Sequence, residues 1–387
     1  MAPAPAYPRL ARLPRSSFFL FGPRGVGKSF WARRALPEAH LVDLLDETRY
    51  HELVADASLF AAELRTVRPR SWVIVDEVQR VPGLLNEVHR FIEDRGLRFA
   101  LLGSSARKLR AAGTNLLGGR AIHKRMFPLV PHELGKDFDL DAVLTHGSMP
   151  VVWMAPDRRR ALDAYVQTYL REEIRAEAVV RQLPGFLRFL PVAAAFHGQV
   201  VNVSGIARDC GVARTTVEGY LEILEDTLLG FRLPAYEPRL RTRERKHPKL
   251  YWVDPGLVRA VKKQLGPLAM EERGPLLEGW VLGLLRAHGE EGGLYDEIWY
   301  WSPARAGSVE VDFVLRRGGD LIAIEVKSRP RFGSDLLVGL RAIAELAALR
   351  RRVLVHPGAR VLRTADGIDV WPIAQLAAVL ARGRLWP

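Results

Sequence analysis

The sequence predicts an α/β chain of several domains: a parallel α/β unit first, then a helical connector, a small helical module with a hairpin, and a second α/β unit. Three observations carry this expectation. An apolar run, Phe18 to Phe21, leads into a glycine-rich turn and a segment suited to a helix. A second apolar run, Trp72 to Val75, ends in Asp76-Glu77. Near the carboxyl end, Val309 to Leu315 and Leu321 to Lys327 alternate at period two around Gly318-Gly319, as a β-hairpin does.

The length, 387 residues, exceeds what one hydrophobic core usually serves. With 48% hydrophobic and 26% charged residues the composition is that of a globular chain and excludes global disorder. Lys+Arg total 57 against 44 Asp+Glu, a net charge of +13. That balance suits a polyanionic partner, nucleic acid and DNA first, or it reflects an arginine-rich genome, because only nine of the cations are Lys and three residues are Asn. The single cysteine, Cys210, excludes an intrachain disulfide, and no apolar run approaches the ~20 residues of a membrane helix. The basic start has too short an apolar stretch for a signal peptide, so a cytoplasmic protein without a membrane partner is expected.

The strands expected in the first unit are Phe18 to Phe21, Leu41-Val42, Trp72 to Val75 and Phe99 to Leu102. Gly22-Pro23-Arg24-Gly25-Val26-Gly27-Lys28-Ser29 fits the P-loop pattern and lies between a strand and a helix, where the mechanism needs it. Gly25 and Gly27 let the backbone curl so that its amides face phosphate oxygens. Lys28 is placed for the β and γ phosphates, and the Ser29 hydroxyl for Mg²⁺, which favours a nucleoside triphosphate. Asp76, at the end of its strand, would join the Mg²⁺ shell, and Glu77 would activate the attacking water. Ser104, after the Phe99 to Gly103 strand, either senses the γ-phosphate or completes a turn. Arg120, in Gly118-Gly119-Arg120, is either an arginine finger, in its own subunit or a neighbour's, or a surface residue.

From Val130 to about Pro191 the pattern is helical, with one helix expected over Asp157 to Gln182. Val203 to Leu221 has helix-turn-helix spacing: Ser204 caps the first helix, Gly211 takes the turn, and Val212, Val217 and Leu221 face the core. Arg214, Thr215, Thr216 and Glu218 are then exposed on the second helix, where base or phosphate contacts are made. Two strands, Phe231 to Tyr236 and Lys249 to Val253, flank a basic loop with Arg239, Arg241, Arg243, Arg245, Lys246 and Lys249. Such a winged helix binds nucleic acid or docks a protein.

In the Val309 to Lys327 hairpin a two-residue Gly318-Gly319 turn puts Asp312 opposite Glu325 and Glu310 opposite Lys327. On the other face Val311 meets Val326, Phe313 meets Ile324 and Leu315 meets Ile322. Opposed acids destabilise a sheet unless a cation bridges them or one is protonated. Mg²⁺ answers this with Asp312, Glu325 and a third carboxylate from Glu278, and Lys327 then orients water or stabilises charge. The alternative is a solvated hairpin whose acids point to water.

Together the P-loop, Asp76-Glu77-Val78-Gln79-Arg80-Val81-Pro82, the Ser104-Ser105 strand end and Gly118-Gly119-Arg120 resemble an AAA-superfamily ATPase. The pattern is similar to a prokaryotic family in which this ATPase precedes a winged helix and a C-terminal nuclease-like region. Asp312 with Glu325-Val326-Lys327 resembles the acidic core of the restriction-endonuclease-like, PD-(D/E)xK, superfamily. The resemblance implies an AAA-type ATPase core over 1–130, a helical lid over 131–192, a winged helix over 193–258 and a restriction-endonuclease-like domain over 259–387. It also implies ATP and Mg²⁺ as cofactors and a homo-oligomer, in the form of a ring.

Overall fold

Phe18–Phe21 forms β1, buried on both faces because its neighbours on either side are strands and both sheet faces carry helices. The computed structural model describes residues 7–105, 117–170, 183–237, 247–303, 309–346 and 348–387. β1 joins β2 (His40–Asp43), β3 (Trp72–Asp76), β4 (Arg98–Gly103) and β5 (Ile122–Arg125) in a parallel sheet of order β2-β3-β4-β1-β5. Phe18 and Leu20 pack with Ile74, Ala100 and Leu102 on one face. Phe19 and Phe21 pack with Val73, Val75, Phe99 and Leu101 on the other. Helices α1 (Lys28–Ala35), α2 (Glu47–Ala55), α3 (Ser58–Thr66) and α4 (Leu84–Arg95) complete the unit.

Short helices follow: α5 (Pro131–Leu134), α6 (Leu140–His146), α7 (Pro150–Trp153) and α8 (Arg158–Ala164). The helix expected from Asp157 starts as α8, capped by the Asp157 side chain, and continues as a π-helical stretch over Tyr165–Leu170. The remainder, 171–182, lies outside the described residues. The long α9 (Leu183–Ala195) leads into α10 (Val203–Cys210) and α11 (Arg214–Asp226), joined by a tight turn at Gly211, φ +64°. The cap of α10 is Asn202, whose side chain accepts from the Gly205 N–H at 3.0 Å; Ser204, expected there, sits exposed inside the helix. A three-stranded antiparallel sheet of order β6-β8-β7 (Gln199–Val200, Lys249–Trp252, Gly230–Leu233) packs alongside.

Helices α12 (Pro255–Val261) and α13 (Met270–Gly292) introduce the second large sheet, of order β13-β14-β12-β11-β10-β9. Its strands are Leu362–Arg363, Asp369–Pro372, Leu349–His356, Asp320–Val326, Val311–Arg317 and Glu297–Trp301. Val338–Ala342 (α14) lies against one face and Ile373–Ala381 (α15) against the other. The β10–β11 register matches the expectation from Arg317↔Asp320 to Phe313↔Ile324. Val311 departs from it: an irregularity between Val311 and Val314 pairs it with Trp301, and it packs with Val314 rather than Val326.

One continuous core runs from β1 through α9 and β8 to α13, β10 and β11. Polar ties reinforce it: Lys124 on β5 meets Glu291 on α13 at 2.8 Å, and Asp254 accepts from the Ser148 N–H at 2.7 Å. The amino-terminal sheet and the carboxyl-terminal region are thus fixed to each other through α13.

Candidate functional site

The parallel strands deliver three chemical groups to one sheet edge, at their carboxyl ends. The P-loop leaves β1, Asp76 and Glu77 end β3, and Ser104 follows β4. Gly25 and Gly27 have φ of +77° and +94°, and Gly27 is the N-terminal cap of α1. A Cβ on Gly25 would stand 2.7 Å from Val151 Cγ1, and one on Gly22 would stand 2.7 Å from the Met126 carbonyl oxygen. The bare backbone there is therefore a steric requirement. Lys28 is buried, and its ammonium donates to the Gly22 carbonyl at 2.7 Å and to that of Pro23 at 3.3 Å, inside the curl of the loop.

Both Asp76 carboxylate oxygens are buried without a well-formed hydrogen bond; Arg33, which also holds Asp43 at 2.9 Å, approaches one of them to 3.7 Å. Burial raises the Asp76 pKa, and Glu77 and Asp43 push the same way, against the Ser29 hydroxyl and Lys28. An orphaned buried carboxylate beside a serine hydroxyl is a donor set that fits a hard divalent cation. Glu77 is held in the left-handed region, φ +55°. Its Oε2 accepts from the Gln79 side-chain amide and from the Ser104 hydroxyl at 3.3 Å, while Gln79 also donates to Ser104 at 3.0 Å. Ser104 thus positions Glu77 as well as closing a strand. Gln79, part of the Asp76 to Pro82 run, was assigned no role from the sequence, although it stands only two residues past Glu77.

Beside the P-loop a cavity of about 340 Å³ opens, with Tyr7, Phe30, Leu129, Pro150, Val151 and Met154 among its lining residues. Arg24, whose carbonyl accepts from the Tyr165 hydroxyl at 2.9 Å, lines the same cavity, as does Arg9. Arg9 donates to the Val26 carbonyl at 2.6 Å and pairs with buried Glu133 at 3.0 Å, so the amino-terminal segment braces the loop from outside. No local pattern announces Arg9. Arg120 does not line this cavity; its guanidinium pairs with Glu93 on α4.

In the middle region Arg214 and Thr215 are exposed and Thr216 half-buried at the start of α11, while Val217 and Leu221 are buried and Val212 is half-buried. Glu218 pairs with Arg232 on β7 at 3.1 Å. Arg239, Arg241, Arg243, Arg245 and Lys246 lie outside the described residues. Lys249 begins β8, as the expected Lys249 to Val253 strand has it, but its side chain is buried rather than part of the basic loop.

The reason lies in the carboxyl-terminal sheet. Beyond Phe313–Ile324 side chains replace the ladder: the Val326 N–H donates to Asp312 at 2.8 Å and the Asp312 N–H to Glu325 at 3.3 Å. Asp312 and Glu325 are thus brought together as expected. Glu278, on α13, Glu310 and Asp312 place carboxylate oxygens within 4.8 Å of one another. Glu310 was missed as a member of this group, because it was expected opposite Lys327. It contacts Lys249 instead, while Lys327 pairs with Glu325. The Lys249 ammonium is 3.1 Å from Glu278 and 4.0 Å from Asp312, and the Tyr251 hydroxyl donates to Glu278. Burial raises the pKa values of Glu278, Asp312 and Glu325, whereas for Lys249 the three carboxylates outweigh burial and keep it charged. A divalent cation does not fit beside this ammonium, since both would need the same oxygens.

Among the described residues no helix is long and apolar enough to cross a membrane. Residues 14–135 match the family described as AAA domain, residues 137–267 one described as domain of unknown function DUF8612, and residues 273–376 one described as domain of unknown function DUF4143. "Uncharacterized protein Rv2008c" of Mycobacterium tuberculosis is 28% identical over 373 residues, covering 92% of this chain and 80% of its own. An "Uncharacterized protein" of Haemophilus influenzae is 24% identical over 324 residues, 77% of each chain. Among solved structures, protein VC1899 from Vibrio cholerae is 15% identical and covers 95% of this chain and 96% of its own, with a TM-score of 0.22. The amino-terminal unit is an AAA-type P-loop ATPase domain, and a DUF4143 domain lies at the carboxyl end.

Proposed function

From an AAA-type P-loop domain as the premise, we propose that the chain is an Mg²⁺-ATP-hydrolysing switch or motor acting on nucleic acid, DNA first. The observation that carries the reading is the convergence of Lys28, orphaned Asp76 and the Glu77–Gln79–Ser104 hydrogen-bonded set on one sheet edge. Residues Gly22 to Ser29 bind the phosphates through backbone amides, and Lys28 turns from the Gly22 carbonyl to the β and γ oxygens. Ser29 and Asp76 would hold Mg²⁺, which would supply positive charge against the phosphate oxygens. Glu77, fixed by Gln79 and Ser104, takes the proton of the water that attacks the γ-phosphorus as the bond to the ADP oxygen breaks. Arg120, which pairs with Glu93 at the surface, would serve as an arginine finger in its own subunit or from a neighbour in a ring.

We read 1–130 as the ATPase core, 131–192 as its lid, 193–258 as a winged helix and 259–387 as a restriction-endonuclease-like domain. Arg214, Thr215 and Thr216 on α11, with Arg239, Arg241, Arg243, Arg245 and Lys246, supply the DNA contacts, supported by the net charge of +13. Asp312, Glu325, Glu278 and Lys327 form the nuclease-like centre. A second reading, an ATP-controlled binding regulator whose nuclease-like domain is silent, is favoured by Lys249 among those carboxylates.

Purified protein is expected to hydrolyse ATP with Mg²⁺, and Lys28→Ala to abolish turnover; unchanged turnover removes the switch. Labelled linear, forked and four-way DNA separates the two readings. Cleavage lost in Asp312→Ala, Glu325→Ala and Lys327→Ala with ATPase retained supports a nuclease, and shifted but uncut DNA supports the regulator.

A further inference from the structure

We propose that Lys249 is the resident cation of the carboxylate cluster, and that a divalent ion enters there only in exchange for it. The inference rests on reading Glu278, Glu310 and Asp312 as a cation site, and it assigns that site's regulation. Lys249 comes from β8, in the middle region, yet only 3% of its side chain is exposed, and its ammonium contacts Glu278 and Glu310 and approaches Asp312 to 4.0 Å. Those three residues hold carboxylate oxygens within 4.8 Å of each other, so the ammonium stands where a metal would. Two residues along the same face of β8, the Tyr251 hydroxyl takes the other available role and donates to Glu278. The site's ligands come from α13, from β10 and from the residue before β10, whereas its cation comes from another sheet.

Electrostatics makes the two occupants exclusive. An ammonium and a divalent ion sharing ligands would lie a few ångströms apart in a buried setting, where like charges repel strongly. Removing the ammonium leaves Glu278, Glu310 and Asp312 without the cation they share, a state that recruits either protons or a metal. Displacement of the Lys249 ammonium thus opens the site, and its return closes it.

The test uses the full-length chain carrying Asp76→Asn, so that the amino-terminal carboxylate takes no ion, titrated with Mn²⁺ alone by calorimetry and electron paramagnetic resonance. Adding Lys249→Met is expected to create one site, bound roughly a hundredfold more tightly than any in the Lys249 parent, and lost again with Asp312→Asn. If the Lys249 parent already binds one ion in an Asp312-dependent manner, the metal reading survives and the exchange is wrong. If folded Lys249→Met takes up no ion, both are wrong. A second measurement needs no variant: mass-spectrometric acylation of the parent is expected to modify Lys249 at least about tenfold more slowly than exposed Lys263. Equal rates overturn the exchange.

Discussion

Glu77→Gln isolates the proton acceptor from everything else the residue does. The side-chain amide has nearly the volume of the carboxyl, and its oxygen can still accept from Gln79 and Ser104 as Glu77 Oε2 does. The backbone stays at φ +55°, which costs about 1–2 kcal/mol for any side-chain-bearing residue and therefore cancels between parent and variant. Fold and nucleotide affinity are thus expected to be retained. The loss is that of a positioned base, about 10²–10⁴ in turnover, or about 3–5 kcal/mol at ~1.4 kcal/mol per decade. Steady-state phosphate release at saturating Mg²⁺-ATP, beside calorimetric ATP affinity, measures both halves. Turnover within about threefold of the parent would show that Glu77 is not the base, and lost affinity would show that it acts in binding instead.

Gly25→Ala places a Cβ 2.7 Å from Val151 Cγ1 at φ +77° and is expected to lower stability by about 1–3 kcal/mol and weaken ATP binding, read by thermal melting and calorimetry. His197 accepts the Trp252 N–H on Nδ1 at 3.0 Å, so the buried ring is neutral, and burial drives its pKa down to about 3 from 6.5. The unfolded chain then binds the extra proton first: the stability contribution is whole above pH 6.5, falls as pH drops toward about 3, and is smaller by about 2 kcal/mol at pH 5. Denaturant midpoints over pH 7 to 5 should slope less in His197→Asn, and an unchanged slope would refute this source. Arg214→Ala is expected to weaken DNA binding evenly across sequences and to reduce the salt slope by about 1, measured by fluorescence anisotropy against salt.

The elements readable in advance are those whose signals are local. Phe18–Phe21 and the P-loop are contiguous, and the alternation of residues 313–317 and 320–324 around two glycines fixes their register within a dozen residues. β5, Ile122–Arg125, was missed because it is an edge strand whose side chains are largely exposed, so no apolar pattern marks it. Asn202 outcompeted Ser204 as cap because the apolar face of the helix already begins at buried Val203, which places Ser204 inside the first turn. The partners of Arg9 and Lys249 are long-range: Glu133 lies 124 residues from Arg9, and Glu310 lies 61 residues from Lys249. A lysine beside a run of arginines reads as part of a basic loop until the fold shows three carboxylates waiting for it.

Calorimetry of the folded parent with ATP, with and without Mg²⁺, tests the central claim most directly. The account predicts one site per chain with affinity in the range of about 1 µM to 1 mM, strengthened by Mg²⁺ and abolished in Lys28→Ala. Cooperatively folded parent protein that shows no heat of binding with Mg²⁺-ATP would contradict it.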